Sequence, residues 1–287
     1  MSLVSNTIVN KEDWAANLQA RLNEPNKWKD ICNVEYTDTK ILHNPYLTDP
    51  TVQTGTRSSP YAFQAITETD ESITINTFKI LPMFIDRADL AQSGYLKQME
   101  MSDRQAVLLN EEIEKGVYGY YGSLTTFDDS TLEGGSGSIT VSATNIDDII
   151  RGVHQQILTA NGGALLDQNG AFFVWRPADF NLLWAFASAN GFVTSDQALR
   201  NGLGSGFGGF EYMGFTHYTS NKLTAGHLIA GVKKLLHLGI VKSTYGQIMV
   251  DDKDPQATSG VSVVSRVDFQ VIAWTKTKPL LFNVVVA

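Results

Sequence analysis

A chain of 287 residues can form one large domain or two ordinary ones, and it can bury about three quarters of its unfolded surface without a disulfide or metal staple. A content of 43% hydrophobic and 18% charged residues is that of a globular protein somewhat short of charge, which suits a chain that hides surface against copies of itself. The net charge of −8 without a Lys/Arg cluster argues against tight sequence-specific nucleic-acid binding, and the single cysteine, Cys32, excludes an internal disulfide and a cysteine zinc site.

The N-terminus has neither the basic nor the apolar region of a secretory signal, and no run approaches the length of a membrane span, so folding in a reducing cytosol is expected. Asn10-Lys-Glu-Asp13 reads as a capped helix start. Trp14, Leu18 and Leu22 then share one helix face, and Glu24-Pro25 is the stop. Residues 33–59 are polar and marked by Thr and Pro, so 1–59 reads as an extended arm that packs on something outside its own domain. Residues 61–67 and 72–81 alternate with period two on either side of the acidic Glu68-Thr-Asp-Glu71. That pattern predicts a long β-hairpin with an acidic turn, and a lone hairpin is marginal in water, so a neighbour must support it.

Ser102-Asp-Arg-Gln105 has the form of a capping box. Ala106, Leu109, Ile113, Val117 and Tyr120 follow at helical spacing, with Arg104, Glu111, Glu112, Glu114 and Lys115 on the solvent side. Tyr118-Gly-Tyr-Tyr-Gly122 stops this helix, and residues 123–142 read as a flexible turn or hairpin. Asn145 caps a second helix with Ile146, Ile149, Ile150, Val153 and Ile157 on one stripe, and Asn161-Gly-Gly163 ends it. Residues 171–176 form a buried strand, and Pro177 opens a helix carrying Phe180, Leu183, Trp184 and Ala187. Residues 225–238 fit strand and helix alike, whereas 261–274 and 280–286 read as strands.

Gly204, Gly206 and Gly209 formally match G-x-G-x-x-G, but a polar stretch precedes them and a strand-like aromatic run follows. No acid lies between Tyr212 and Val250, so these glycines read as a loop that supplies geometry and not as a nucleotide cradle. His43, His154, His217, His227 and His237 never fall in a metal-ligand spacing, and neither a nucleophile elbow nor a phosphate-binding loop occurs. The acidic pairs Asp128/Asp129 and Asp147/Asp148 and the run Asp251-Asp-Lys-Asp254 read as turns, helix starts and solvated loops. No catalytic, cofactor-binding or metal-binding residue is predicted, and the chain reads as a non-enzyme.

Element order carries the argument further. The return strand running into Ile80-Leu-Pro-Met-Phe-Ile-Asp-Arg-Ala-Asp-Leu-Ala-Gln-Ser93, the passage Phe172-Phe-Val-Trp-Arg-Pro-Ala-Asp179, and residues 212–223 with their Ser220-Asn221 turn come in a telling sequence. Together they resemble the major capsid protein of tailed bacteriophages, the Hong Kong 97-type fold, over nearly the whole chain. The resemblance implies an α+β fold with an N-terminal arm (1–50) and an extended hairpin loop reaching over a neighbour (51–82). A peripheral domain with a long spine helix (83–160), an axial domain (161–260) and strands returning to the peripheral domain (261–287) complete it. It further implies a coat protein made in the bacterial cytoplasm, assembling as pentamers and hexamers into the icosahedral virion shell around double-stranded DNA, without a cofactor.

The implied partners are copies of itself, a separate scaffolding protein, a portal and a cement protein, with only non-specific proximity to packaged DNA and no membrane. The scaffold is expected to be separate because the chain starts at Met1 without a long charged helical prefix, unless it arrives trimmed. An encapsulin-like nanocompartment shell is the alternative within the same fold, and a cytosolic enzyme is the alternative outside it. The expected inter-subunit contacts are Trp14, Leu18, Tyr61, Phe63, Glu68, Asp70 and Glu71, with the acidic run docking on basic residues of a neighbour or a cement protein. Some members of the family cross-link neighbours through a lysine of the hairpin loop, but residues 64–76 contain none. A denaturing gel of mature particles is therefore expected to show a single band, and a ladder of covalent multimers would contradict this.

Overall fold

The structure, a computed structural model, describes residues 26–55, 57, 63–86, 97–132, 135, 137–189, 210–245, 248–251 and 260–287. The first half runs α1 (Trp28–Ile31), β1 (Cys32–Thr37), β2 (Ile41–Leu47), β3 (Glu68–Thr74), β4 (Thr77–Asp86), α2 (Lys97–Gly119), β5 (Thr125–Phe127), α3 (Asp129–Leu132) and α4 (Ile146–Thr159). The second runs α5 (Gly163–Asn169), β6 (Ala171–Trp175), α6 (Pro177–Ala189), β7 (Phe210–Tyr212), β8 (Phe215–Thr219), β9 (His227–Val232), β10 (Leu236–Val241), β11 (Ile248–Asp251), β12 (Gly260–Ala273) and β13 (Leu281–Val285).

β12 organises a five-stranded sheet. It pairs antiparallel with β4 along one edge, from Gly260↔Asp86 to Phe269↔Thr77, and with β11 and β10 along the other, while β1 lies parallel to β10. Alternate residues face opposite sides. Val267, Phe269 and Val271 of β12 are buried with Leu236, Leu238 and Ile240 of β10. α2 packs on β12 and β4, so close that a Cβ at Gly116 would stand 2.5 Å from Phe269 Cε2. This packing overrides the expected capping box. The helix already runs from Lys97, and Gln105 is buried, donating to the Leu81 carbonyl (3.1 Å) and accepting from the Ser265 hydroxyl. None of the described helices is long and apolar enough to cross a membrane.

The second sheet has six strands in the order β5-β13-β9-β6-β8-β7, with parallel pairs at β5/β13 and β6/β8. All five residues of β6 are buried, as an uninterrupted apolar run requires. α4 buries the expected stripe Ile146, Ile149, Ile150, Val153 and Ile157. Asn145 works indirectly: its Oδ1 accepts from the Ser142 N–H and hydroxyl and so fixes the turn into the helix. On α6, Leu183 and Ala187 are buried, but Trp184 is 39% exposed and lies off the buried stripe.

Residues 225–238 resolve into strands, because β9 is claimed on both edges by β13 and β6. Gly231 sits there at φ +153° with the Leu280 carbonyl oxygen only 2.6 Å from where a Cβ would be, a place for glycine alone. Residues 210–219 are two strands and not one, split by Met213-Gly214 at positive φ into the β7/β8 hairpin.

The predicted hairpin is corrected. β3 pairs with β2, from Ile41↔Thr74 to Leu47↔Glu68, so the acidic run 68–71 lies in a strand and not in a turn. The alternating stretch 72–81 is broken at Ile75-Asn76, where the chain leaves the hairpin and β4 joins β12. Ile73 and Ile75 are buried at this crossing. Period two marks a strand but does not name its partner.

Glu114 is a second correction. Expected on the solvent side, it is fully buried. Its Oε1 accepts from the Lys27 backbone N–H and the Tyr118 hydroxyl (2.8 Å each), and its Oε2 accepts from Lys222 Nζ (3.0 Å). Lys222, itself 6% exposed, arrives from the turn after β8 and supplies the counter-charge. Burial, followed by the charge of Glu114, holds the Tyr118 phenol well above its ordinary range. Removing one partner strands the other charge, so Glu114→Ala is expected to destabilise the fold by about 3–5 kcal/mol, read as a lowered denaturant midpoint. An unchanged midpoint would refute this role.

Candidate functional site

The β2/β3 hairpin presents the surface most in need of a partner. At its root, Leu42 and Ile75 lie over Gly239, whose missing side chain leaves room: a Cβ there would stand 2.8 Å from Leu42 Cδ1. Further out, the turn after β12 holds the hairpin. The Thr275 N–H donates to Glu71 Oε2 (3.1 Å). Lys276 Nζ donates to the Leu47 carbonyl (3.2 Å) and Asp49 Oδ2 (2.8 Å), and lies 5.1 Å from the Tyr46 ring centre. Beyond the ladder, the two arms stay joined by Thr48 N–H to the Thr67 carbonyl (2.9 Å) and by Gln64, which bonds the backbone of Thr51 in both senses.

Among the described residues at and beyond the end of the ladder, several large apolar side chains are exposed. Leu47, Val52, Phe63 and Ile66 are 56%, 101%, 92% and 63% exposed. Exposed apolar side chains on a two-stranded ribbon do not form a core of their own.

Of the residues predicted as contacts, Trp14, Leu18 and Tyr61 lie outside the described residues. Phe63, Glu68, Asp70 and Glu71 come together on this hairpin, and Phe63 and Glu68 are exposed. Two of the carboxylates are used within the chain: Asp70 meets His43 Nδ1 at 2.5 Å, and Glu71 takes the Thr275 N–H. Leu47, Val52 and Ile66 were missed because their segment read as a polar arm or as a strand interior. No motif marks Lys276.

The ionisable groups of the interior are structural. Burial pushes the Cys32 thiol far above its usual range, which leaves it inert. His217 Nδ1 accepts from Trp175 Nε1–H (2.8 Å), its Nε2 faces the Tyr212 carbonyl (3.3 Å), and burial pushes its pKa down to about 3. The Tyr212 hydroxyl donates to Asp147 (2.6 Å), and burial first and then that carboxylate push the phenol up to about 12. His227 stacks on Tyr121 with ring centres 3.9 Å apart, and His237 meets the edge of Trp274. Among the described residues no group of three or more His, Cys, Asp or Glu side chains could hold a metal ion. The glycine-rich loop 202–209 and most of the acidic run 251–254 lie outside those residues.

No protein-family model matches the sequence, and no curated protein matches it either. Solved structures do. A chain of Mycobacterium phage Che8 superposes with a TM-score of 0.68 at 16% identity, covering 97% of this chain and 98% of that one. The capsid of Ralstonia phage GP4 matches at 0.66 and 7% identity, over 100% of this chain and 98% of that one. The capsid of an empty GTA particle matches at 0.67 and 10% identity, over the full length of both chains. The fold is that of a phage capsid chain. It is a mixed α and β fold, and the capsid likeness read from element order agrees with it.

The buried histidine carries a pH signature. Unfolded, its imidazole binds a proton below about pH 6.5; folded, it does not until about pH 3. The unfolded state therefore holds more protons across that window, so stability falls as pH falls through it, by up to about 1.4 kcal/mol per pH unit, and is unaffected above it. His217→Gln, which keeps an acceptor for Trp175, is expected to flatten the unfolding profile between pH 6.5 and 3; a profile as steep as that of the natural protein would contradict the assignment.

Proposed function

We propose that this chain is the coat subunit of an icosahedral shell that encloses the double-stranded DNA of a tailed bacteriophage. The observation that carries the reading is likeness over the full length to chains that build capsids, 100% of this chain in two cases. The exposed apolar side chains of Leu47, Val52 and Ile66 on the hairpin support it, since a chain with such side chains at its surface gains from meeting copies of itself.

In this reading α2 is the spine helix and the five-stranded sheet beneath it belongs to the peripheral domain. The β2/β3 hairpin, with residues 48–67 at its far end, is the extended loop. Residues 1–50 begin as the arm, residues 161–260 supply most of the axial domain, and of the final segment β12 belongs to the peripheral sheet. Pentamers and hexamers are the expected rings, since contacts between unlike surfaces close into rings. A scaffolding protein, a portal and a cement protein are the partners this function calls for, contact with DNA is non-specific, and the role is structural and not enzymatic.

Size-exclusion chromatography with negative-stain microscopy tests the reading. Closed shells of uniform diameter are expected, alone or with a scaffold co-expressed. A species no larger than a dimer of the 31.5 kDa chain under all of these conditions would overturn it. Replacing residues 48–67 by a short Gly-Ser turn leaves both sheets intact and is expected to yield folded subunits that form no shells.

A further inference from the structure

Lys222 meets more than a counter-charge in the interior. Its Nζ donates to Glu114 Oε2 (3.0 Å) and also to the side-chain carbonyl Oδ1 of Asn26 (3.4 Å), a residue 196 positions away in sequence. Glu111 Oε1 stands further off, 3.7 Å from Nζ. An amine, a carboxamide and a carboxylate are thus gathered around one nitrogen. The side chains of Lys222 and Glu114 are buried, so bulk water has little access to the point where they meet.

Each part is fixed by contacts of its own. Glu114 Oε1 is occupied by the Lys27 N–H and the Tyr118 hydroxyl, which leaves Oε2 for Lys222. The bond to the Lys27 N–H also holds the residue next to Asn26. On the other side, the Lys222 N–H donates to the Ser220 hydroxyl (3.2 Å) and so fixes the turn that delivers the amine. An ion pair needs only Lys222 and Glu114. The carboxamide is the additional element, and its Cγ is one bond, about 1.2 Å, from the Oδ1 that Nζ already touches.

We infer that Lys222 and Asn26 form an isopeptide bond within the chain, with Glu114 as the general base. The bond joins two parts of one chain and no neighbours, so it does not depend on the shell reading. Glu114 Oε2 stands within the reach of a general base, about 2.6–3.2 Å from the proton's donor atom. It takes one proton from the ammonium, and the lone pair freed on Nζ attacks Cγ of Asn26. The Nζ–Cγ bond forms and the Cγ–Nδ2 bond breaks. A second proton from Nζ passes to Nδ2, and ammonia leaves; no oxidant or other reagent is consumed. The first proton stays on Oε2, so the loss of the lysine charge leaves no unpaired carboxylate in the interior. In water such a reaction fails because the amine is protonated and the carboxamide resists attack. Here a fixed base answers the first obstacle, and held contact in a site screened from water answers the second. The reaction happens once per chain. It closes residues 26–222 into one covalent loop and fastens the start of the described chain to the turn after β8.

Intact-mass measurement of the purified, folded, full-length chain tests this. Its mass is expected to fall short of that calculated from its sequence by one molecule of ammonia. A tryptic digest is expected to contain a branched peptide joining Asn26 to Lys222, with no cleavage after Lys222. Ring closure of Asn26 on the Lys27 nitrogen also expels ammonia, and Lys222→Arg separates the two, since it keeps a cation for Glu114 and has no amine to attack. Lys222→Arg is expected to show its full calculated mass. So is Glu114→Gln, which keeps an acceptor for the Lys27 N–H and lacks the base. Asn26→Ala lies outside the ion pair and serves if either of these folds poorly; its full mass is expected as well. A natural chain of full mass would overturn the inference, and so would ammonia loss that persists in Lys222→Arg or a digest without the branched peptide.

Discussion

The carboxylate of Glu114 ties together parts of the chain that lie far apart in sequence. It lies in the last third of the longest described helix, yet it faces inward, because the backbone of Lys27, the hydroxyl of Tyr118 and the ammonium of Lys222 converge on it. A buried ion pair of this kind adds little net stability over apolar side chains of the same shape, but it tolerates only one arrangement of its partners. Three segments are thereby brought into register: the start of the described chain, the helix over the first sheet, and the turn that ends β8 in the second. Lys234 reinforces the joint by donating to the carbonyls of Lys29 and Cys32.

From that joint the two sheets divide the work. The first is built on one long strand that is paired along both edges, and its helix-covered face is closed by large apolar side chains. The second is mixed, with β6 sealed on both faces and α4 laid against it through an isoleucine-rich stripe. Histidines that would suggest chemistry in another setting serve here as packing and hydrogen-bond partners. His217 is the clearest example: Trp175 and Tyr212 fix its orientation, and its burial keeps it neutral.

Much of this is legible in the sequence where one element buries one face. The α4 stripe, the β6 run and the last two strands follow from local pattern because a single periodicity decides each. Residues 225–238 do not, since a strand buried on both faces has no alternation to display. The partner of β3 was hidden for a different reason: its alternation is satisfied by any strand, and the true partner lies in the polar, Pro-marked stretch that read as an extended arm. Glu114 looked like a solvated helix residue because its counter-charge stands 108 positions away. Of the exposed apolar side chains on the hairpin, the sequence reading singled out only Phe63, whereas Leu47, Val52 and Ile66 became visible only once the hairpin's true register placed them.

The way the hairpin is fastened has a mechanical consequence. Its root is packed, but along its length it is held by exposed side chains, with Lys276 and Asp49 at 45% and 85% exposure. Contacts of that sort are worth about 1 kcal/mol or less each, far below the cohesion of either sheet. The joint is thus held more weakly than either of the two large sheets. A curved lattice built from chemically identical blocks asks each to meet its neighbours at slightly different angles. In the proposed shell, a weakly fastened limb would take up those differences as small elastic strain and leave the packed sheets unchanged.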